Sequence, residues 1–370
     1  MQLGLSEYLS ALVARRFTAA RDTGNLVFSS THLSIINAAG ISVSDVKTPT
    51  TAGSSNLQIQ YQLRYCPALA KKPSNSKENV PKAPKPDPFE NPSPDLLIAQ
   101  FPPENPAYNL ILNKFPVIPN HFLLVTKDWQ AQTDILDEAD LEATYECLKA
   151  WNTDGDGSRS ANGSSAKSLF AFFNSGDDSG ASQPHRHLQF LPVEAMRQPG
   201  SESWHPLIDL LTSQPTSPSP TPKFQHLSGL PFSHFALPIP PNPSAETLHA
   251  IYLTLYKAAA AATRGQTPCQ DTEPLPTQGP ASISYNLAMT RSTMMICPRR
   301  QETALVPVDS EAARDIVDPG VLSLNGTILA GTLMVKAESE WDALRENPEN
   351  LTQVLATIGY PRTDSRGPSL

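Results

Sequence analysis

Residues 172–193 read FFNSGDDSGASQPHRHLQFLPV. The stretch passes from apolar residues through a loop rich in Gly, Ser and Asp and then returns to an apolar run. This pattern predicts a β-hairpin in which a glycine-rich loop joins two strands. Because alternate residues of a strand point the same way, His185, His187 and Gln189 should share one face of the returning strand. The opposite face should carry Arg186, Leu188 and Phe190.

The loop at residues 174–183 suggests a role for the two histidines. Its small residues allow tight turns that leave backbone N–H groups free, and an imidazole facing such a loop is suited to attack a phosphate. A polar outer strand face is an alternative that the pattern leaves open. A metal site at His185 and His187 is disfavoured, because no cysteine or third histidine lies nearby in the sequence and Gln189 would be a poor ligand.

The composition of the chain restricts its class. Its 370 residues, of which 39% are hydrophobic, are enough for one large or two modest domains with a real core. Proline contributes 37 residues, about twice the usual share, so loops and turns must be extensive. The net charge of −8, without any Lys/Arg block, argues against a protein that binds nucleic acid electrostatically.

Widely spaced cysteines, without a CxxC pair or a Cys/His cluster, indicate free thiols in a reducing compartment. They are Cys66, Cys147, Cys269 and Cys297. The N-terminus lacks the uninterrupted apolar segment of a secretory signal, and no run of about 18 apolar residues could span a membrane. We therefore expect a soluble intracellular protein that binds neither membrane nor nucleic acid. We further expect it in the cytoplasm, and also in the nucleus, as a monomer.

Apolar periodicity and turn residues predict the elements along the chain. Helices are expected over 5–20, 138–151, 201–211 and 245–263, and from residues 340 and 348. Strands are expected over 26–28, 57–65, 109–113, 121–126, 168–173, 283–289, 294–298 and 328–336. Residues 71–94 and 153–165 carry almost no apolar side chains, so we expect surface segments there. We predict that 77–94 and 153–165 can each be deleted with little loss of stability.

Four segments carry a resemblance to a known family. NSGDDSGASQPHRHLQ (174–189) is similar to the active-site segment of the fungal ATP adenylyltransferases, also called diadenosine tetraphosphate phosphorylases. They belong to the histidine-triad and galactose-1-phosphate uridylyltransferase-like superfamily, in which His-x-His-x-Gln marks nucleotidyltransferases. LNKFPVIPNHFLLVTK (112–127), SYNLAMTR (284–291) and AGTLMVKAESEWDAL (330–344) resemble the same family in the same order. Together the four segments span most of the chain, which makes the resemblance specific.

The resemblance implies both a fold and an activity. The fold would be α+β, with a histidine-triad-like antiparallel β-sheet core, flanking helices and long Pro-rich loops. Residues 1–215 would form an N-terminal catalytic region, and residues 216–370 a C-terminal region that completes the same nucleotide site. The reaction would be reversible phosphorolysis of diadenosine 5',5'''-P1,P4-tetraphosphate (Ap4A) to ADP and ATP. The partners would be dinucleoside polyphosphates, ATP, ADP and phosphate, with Mg²⁺ carried by the polyphosphate and no organic cofactor.

The resemblance also assigns roles to residues. His187 would be the nucleophile, with its second ring nitrogen donating to the carbonyl of His185, and His185 would orient it. Gln189 stands where the hydrolase branch has His, and an amide can bind a phosphoryl oxygen but cannot shuttle a proton. The substrate would contact one of Lys71 and Lys72, together with Asn113, Lys114, Asn174, Gly180, Ala181, Ser182, Gln183, Ser284, Tyr285, Asn286 and Arg291. His121 receives no role.

Two other functions remain open at this stage. A hexose-phosphate nucleotidyltransferase is one, although such enzymes often have structural metal sites with Cys/His clusters, which this sequence lacks. The other is a nucleotide-binding pseudoenzyme that acts as a sensor. The intact His187 and Gln189 argue against it.

Overall fold

An eight-stranded antiparallel β-sheet lies at the centre of the computed structural model. The structure describes residues 3–5, 7–41, 57–71, 86–151, 167–211, 224–268, 274–308 and 319–362. The strands in these ranges are β1 (His32–Ile41), β2 (Leu57–Tyr65), β3 (Leu97–Phe101), β4 (Tyr108–Leu112), β5 (Phe122–Thr126), β6 (Leu169–Ser175), β7 (His187–Pro192), β8 (Phe235–Pro238), β9 (Tyr285–Met289), β10 (Thr293–Pro298), β11 (Thr303–Leu305), β12 (Val321–Ser323) and β13 (Thr332–Val335).

The large sheet takes strands from both halves of the chain. Its order is β3-β4-β5-β7-β6-β9-β10-β8, and every neighbouring pair is antiparallel. The two halves meet where β6 pairs with β9, from Ala171 opposite Met289 to Ser175 opposite Tyr285. The regions that the sequence assigns to 1–215 and 216–370 therefore contribute to one sheet.

Three of the described helices cover one face of the large sheet. The described helices are α1 (Leu9–Asp22), α2 (Glu138–Trp151), α3 (Val193–Met196), α4 (Ala245–Thr263), α5 (Glu338–Glu346) and α6 (Pro348–Ile358). Apolar stripes of α1, α2 and α4 pack against alternate residues of the strands in one cluster. Ser244 caps α4 as predicted, because its hydroxyl accepts a hydrogen bond from the backbone N–H of Thr247.

A second apolar cluster lies on the opposite face of β6, β9 and β10. A small sheet of β1, β2 and β13 contributes to this cluster, together with α5 and α6. The alternating apolar residues of β2 face it, as the sequence predicts, but the other face of β2 is also buried. Gln62 and Arg64 lie there, and both donate hydrogen bonds to the carbonyl of Met196. The two side chains thus connect the small sheet to the chain that follows β7.

The α+β prediction is confirmed, and so are the helices over 138–151 and 245–263 and the strands around the central hairpin. The strand at 26–28 is wrong, because this segment is irregular and Val27 only donates its N–H to the carbonyl of Lys114. The helix at 201–211 shrinks to one 3₁₀ turn, Leu207–Leu210. The strand at 328–336 starts only at Thr332, because Gly331 has a φ of +75° and ends a preceding 3₁₀ turn.

Residues 86–94 do not behave as a dispensable surface segment. The ring of Phe89 is 7% exposed and packs with Ile111, Leu123 and Val125 on the face of the sheet opposite α1, α2 and α4. The prediction that 77–94 can be deleted is therefore wrong for its second half. Residues 72–85 and 152–166 lie outside the described residues. No helix in the described ranges is long and apolar enough to cross a membrane.

Candidate active site

The predicted hairpin is present as β6 and β7, paired from Leu169 opposite Pro192 to Phe172 opposite Gln189. Its loop contains a short 3₁₀ turn, Asp177–Ser179, between two glycines with positive φ. A Cβ atom at Gly180 would lie 2.6 Å from the carbonyl oxygen of Leu324, and one at Gly176 would lie 2.3 Å from Ser284 Oγ. Both positions therefore require glycine on steric as well as conformational grounds.

The two histidines share one face, as the alternation predicts. The ring of Phe89 lies over both, with its centroid 5.9 Å from that of His185 and 5.1 Å from that of His187. On the opposite face, Arg186 donates to Asp140 of α2 at 2.7 Å. His185 precedes the regular strand, which starts at His187, and forms an isolated bridge with Ala131.

His187 is held as a neutral imidazole with a defined tautomer. Its Nδ1 lies 2.8 Å from the carbonyl oxygen of His185, and because a carbonyl only accepts, Nδ1 carries the proton. Burial lowers the pKa of His187 to about 4, so the neutral form prevails at physiological pH. The neutral ring carries its lone pair on Nε2, to which no described side chain hydrogen-bonds. The site thus contains an available nitrogen nucleophile.

The apolar neighbours of His187 explain its low pKa. Val125 of β5 is its cross-strand partner, and the Phe89 ring covers it from above. These groups exclude water and cannot stabilise a positive charge on the ring. The same surroundings strengthen any electrostatic interaction made with a bound phosphate.

We predict that the pH dependence of the attack by His187 on the substrate reflects the lowered pKa of its ring. If His187 is the nucleophile, as the resemblance implies, only its neutral form can attack, and the step should keep its rate from pH 7.5 down to about pH 5 and fall as the pH passes through about 4. The rate of protein labelling by Ap4A without phosphate, measured from pH 4 to 8, provides the check. A falling limb centred near pH 6.5, the ordinary imidazole value, would contradict it.

Gln132 fixes the main chain at His187. Its Oε1 accepts from the backbone N–H of His187 at 2.7 Å, and its Nε2 donates to the carbonyls of Asn174 at 2.8 Å and His187 at 3.2 Å. The side chain therefore replaces the β-ladder where β6 and β7 separate after Phe172. The sequence does not mark Gln132, because a contact between residues 55 positions apart leaves no local pattern.

His185 is clamped from both sides. Its Nδ1 lies 2.6 Å from the carboxylate of Asp87, and its Nε2 lies 2.8 Å from the carbonyl oxygen of Thr126. Neither ring nitrogen is left to attack a substrate. This placement fits an orienting role, in which the backbone carbonyl of His185 serves His187.

A line of hydrogen bonds runs from a buried cation to the face of the sheet that carries His187. Arg299 donates to Asn286 Oδ1 at 2.5 Å, and Asn286 Nδ2 donates to Asn174 Oδ1 at 2.9 Å. The backbone N–H of Gly326 donates to the same Asn174 oxygen. The remaining amide group of Asn174, Nδ2, is buried and has no hydrogen-bond partner among the described residues. A buried donor of this kind is costly unless a ligand satisfies it.

The remaining predicted loop residues connect Gly180 to the start of the motif. Ala181, Ser182 and Gln183 lead from Gly180 into His185, and Ser182 is exposed. Ser284 accepts from the backbone N–H of Asp178 at 3.3 Å and so anchors the start of the loop.

Asn113 and His121, which lie between β4 and β5, form a hydrogen-bonded group with Gln189. Gln189 Oε1 lies 3.1 Å from His121 Nε2, and Asn113 Nδ2 lies 3.1 Å from His121 Nδ1. The amide of Asn113 is therefore engaged within the protein. Lys114 is exposed at the end of β4, with its Nζ 5.7 Å from the centroid of the Phe115 ring.

The structure does not bring two predicted residues to the site. Tyr285 is fully buried on the helix-covered face, where its hydroxyl lies 2.6 Å from that of Tyr252, because it alternates with Asn286 along β9. Arg291 lies in the turn between β9 and β10, five residues beyond Asn286. There it lines a separate cleft of about 520 Å³ with Tyr145.

Lys71 and Lys72 stand at the edge of the described residues. Lys71 is the last residue of a 3₁₀ turn, Pro67–Lys71. Lys72 lies outside the described ranges. Whether one of them reaches a phosphate therefore stays a prediction.

A neutral histidine nucleophile, a glycine-rich loop and buried amide donors on one face define a group-transfer enzyme for phosphate esters. Comparison with known proteins narrows this class. Residues 5–213 match the Ap4A phosphorylase N-terminal domain, and residues 228–361 match the ATP adenylyltransferase C-terminal domain. The first match alone covers more than half of the chain, so the chain belongs to the Ap4A phosphorylase and ATP adenylyltransferase family and is a nucleotidyltransferase.

Individual relatives agree with this assignment. Diadenosine 5',5'''-P1,P4-tetraphosphate phosphorylase 2 of Saccharomyces cerevisiae is 28% identical over 370 residues, covering 99% of this chain and 98% of the relative. Protein APA1 of the same yeast is 30% identical over 368 residues, with 98% and 97% coverage. The crystal structure of the yeast Ap4A phosphorylase Apa2 has the same fold, with a TM-score of 0.71, 24% identity, and coverage of 96% of this chain and 99% of that chain.

Proposed function

We propose that the chain catalyses the reversible phosphorolysis of Ap4A to ADP and ATP through an adenylyl group on His187. The observation that carries the proposal is the buried, neutral His187 ring, whose Nδ1 is bonded and whose Nε2 is available. The substrate class is supported by yeast relatives named as Ap4A phosphorylases, one of which has been crystallised in complex with Ap4A.

The first step would be attack of His187 Nε2 on the α-phosphorus of Ap4A. The new N–P bond replaces the bond to the bridging oxygen, and ATP leaves with that oxygen. The ring becomes a cation, which the carbonyl of His185 stabilises through the Nδ1 proton. In the second step a phosphate oxygen attacks the same phosphorus, the N–P bond breaks and ADP leaves. Both steps are displacements at one centre, so the reaction can run in either direction.

The negative oxygens on the reacting phosphorus need donors. We assign this role to Asn174 Nδ2, the amide of Gln189 and the backbone of the loop over Gly180, Ala181, Ser182 and Gln183. The positive charge of Arg299 polarises the amide of Asn286, which in turn polarises the amide of Asn174 and makes its Nδ2 a stronger donor. Lys114 and one of Lys71 and Lys72 would contact the outer phosphates.

A turnover assay with Ap4A and phosphate tests the proposal. ADP and ATP should form in equal amounts, and omitting phosphate should stop catalysis after one turnover. Turnover of a hexose phosphate with a nucleoside diphosphate sugar, and none with Ap4A, would favour the hexose-phosphate alternative. Nucleotide binding without any turnover would favour the pseudoenzyme.

We predict that Gln189→His shifts the protein toward hydrolysis. A histidine at this position can carry a proton to and from water, whereas an amide cannot. The measurement is the ratio of AMP to ADP released at a fixed phosphate concentration, and the ratio should rise by roughly tenfold or more. The matched control is Gln189→Asn, which shortens the amide but adds no titrating group. An unchanged ratio in the histidine variant would remove Gln189 as the determinant.

Further parts of the proposal concern metal, assembly and location. We propose that Mg²⁺ enters with the polyphosphate and that no organic cofactor is used. Within the described ranges, no three His, Cys, Asp or Glu side chains cluster as a metal site would require. We also propose a monomer in the cytoplasm, and also in the nucleus; the widely spaced cysteines support a reducing compartment. Activity after removal of Mg²⁺ by a chelator, and sedimentation of the purified chain, test the first two points.

A further inference from the structure

We infer that His121 is a positioning residue that holds the Gln189 amide with its N–H₂ group toward the reacting phosphate. The inference rests on the proposed function. His121 directly precedes β5, and Asn113 directly follows β4, so both lie where these two strands end at their connecting turn. The backbone N–H of Asn113 donates to the carbonyl of His121 at 3.0 Å and keeps the two residues side by side.

The direction of the hydrogen bonds that join Asn113, His121 and Gln189 follows from one backbone amide. The N–H of Phe115 donates to Asn113 Oδ1 at 2.9 Å, which fixes the oxygen and nitrogen of the Asn113 amide. Asn113 Nδ2 then faces His121 Nδ1 at 3.1 Å. Because an amide nitrogen only donates, His121 Nδ1 accepts and the ring proton is on Nε2.

The proton on His121 Nε2 fixes Gln189 in turn. Gln189 Oε1 lies 3.1 Å from His121 Nε2 and accepts from it. The N–H₂ group of Gln189 is therefore the part of the amide that remains for a ligand. Gln189 shares the face of His187, two residues away on β7, which places the two side chains roughly 7 Å apart along the strand. A polyphosphate whose α-phosphorus reaches His187 can thus receive a donor from Gln189.

Without His121 the amide of Gln189 could turn around. Its oxygen would then face the phosphoryl oxygens, and two acceptors repel each other. An amide that samples both orientations loses part of its binding to the transition state. His121 is 8% exposed and its Nε2 is engaged by Gln189, so its effect on catalysis would pass through Gln189.

A double-mutant cycle between His121 and Gln189 tests the inference. His121→Ala should lower kcat by about tenfold, the size expected for one hydrogen bond to a charged group, and should change KM for Ap4A by less than about threefold. In a Gln189→Ala background the same change should have almost no further effect on kcat, because the residue through which His121 acts is gone. Equal losses in both backgrounds would overturn the inference.

Two variants that each reproduce the position of one ring nitrogen test the inference even if His121→Ala folds poorly. A glutamine places its Nε2 close to the position of the imidazole Nε2, so His121→Gln should restore kcat to within about threefold of the wild type. An asparagine reaches only the Nδ1 position, so His121→Asn should behave like alanine. Equal activity of the Gln and Asn variants would contradict the inference. Absence of turnover in the wild type would instead overturn the proposed function, and the inference with it.

Discussion

Replacing His187 by alanine should abolish turnover of Ap4A while the protein stays folded. The only side chain that offers an available ring nitrogen at the hairpin is His187, since both nitrogens of His185 are bonded to Asp87 and Thr126. We therefore expect a loss in kcat of at least ~10³-fold, as for removal of a nucleophile. The change is measured by the release of ATP from Ap4A at saturating phosphate.

His234 offers a matched control for His187. It is equally buried, and its Nδ1 lies 2.9 Å from the carbonyl oxygen of Phe232, two residues earlier. His187 Nδ1 makes the same kind of contact with the carbonyl oxygen of His185. It precedes β8, at the far edge of the same sheet. His234→Ala should lower the melting temperature at least as much as His187→Ala but should keep kcat. If His187→Ala retains activity and His185→Ala loses it, the assignment of the nucleophile is wrong.

Replacing Asn174 by aspartate should harm catalysis more than replacing it by alanine. An aspartate keeps the oxygen that accepts from Asn286 and Gly326, but it puts a carboxylate oxygen in place of the unpaired Nδ2. If Nδ2 binds a phosphoryl oxygen, alanine removes a donor and should cost about 10²–10³-fold in kcat/KM. Aspartate adds repulsion between two negative groups and should cost more.

The comparison between the two Asn174 variants separates catalysis from structure. If Asn174 served only to connect Asn286 with Gly326, aspartate would preserve these contacts and would be the better tolerated variant. Assays at pH 8 keep the new carboxyl ionised, and melting temperatures report the fold. Higher kcat/KM in Asn174→Asp than in Asn174→Ala would therefore contradict a phosphate-binding role.

The hairpin and its two faces could be predicted because they follow from local rules. Alternation along 185–190 and the glycine-rich loop are visible in a dozen residues, and the structure confirms both. Alternation would also have excluded Tyr285, since neighbouring residues of β9 cannot face the same side and Asn286 faces the site. The resemblance assigns the segment 284–291 to the substrate as a whole and does not separate the two faces of the strand.

The groups that support the site could not be predicted in this way. Gln132 and His121 act on residues 55 and 68 positions away, and neither lies in a pattern that marks it. Asp87 and Phe89 lie in a segment so poor in apolar residues that it resembles a surface loop. Asp87 nevertheless contacts His185, and the ring of Phe89 contacts both histidines. Such contacts arise only when the strands take their places in the sheet.

The covalent adenylyl group on His187 is the central claim, and trapping it is the most direct test. Mixing the protein with labelled Ap4A and no phosphate should leave labelled AMP on the peptide that contains His187. The bond should be labile in acid and stable in mild base, as expected for a phosphoramidate and opposite to an acyl phosphate. Phosphate should release the label as ADP, ATP should release it as Ap4A, and His187→Ala should take up none. Turnover by the wild type without any protein-bound label would contradict the account and indicate direct transfer from Ap4A to phosphate.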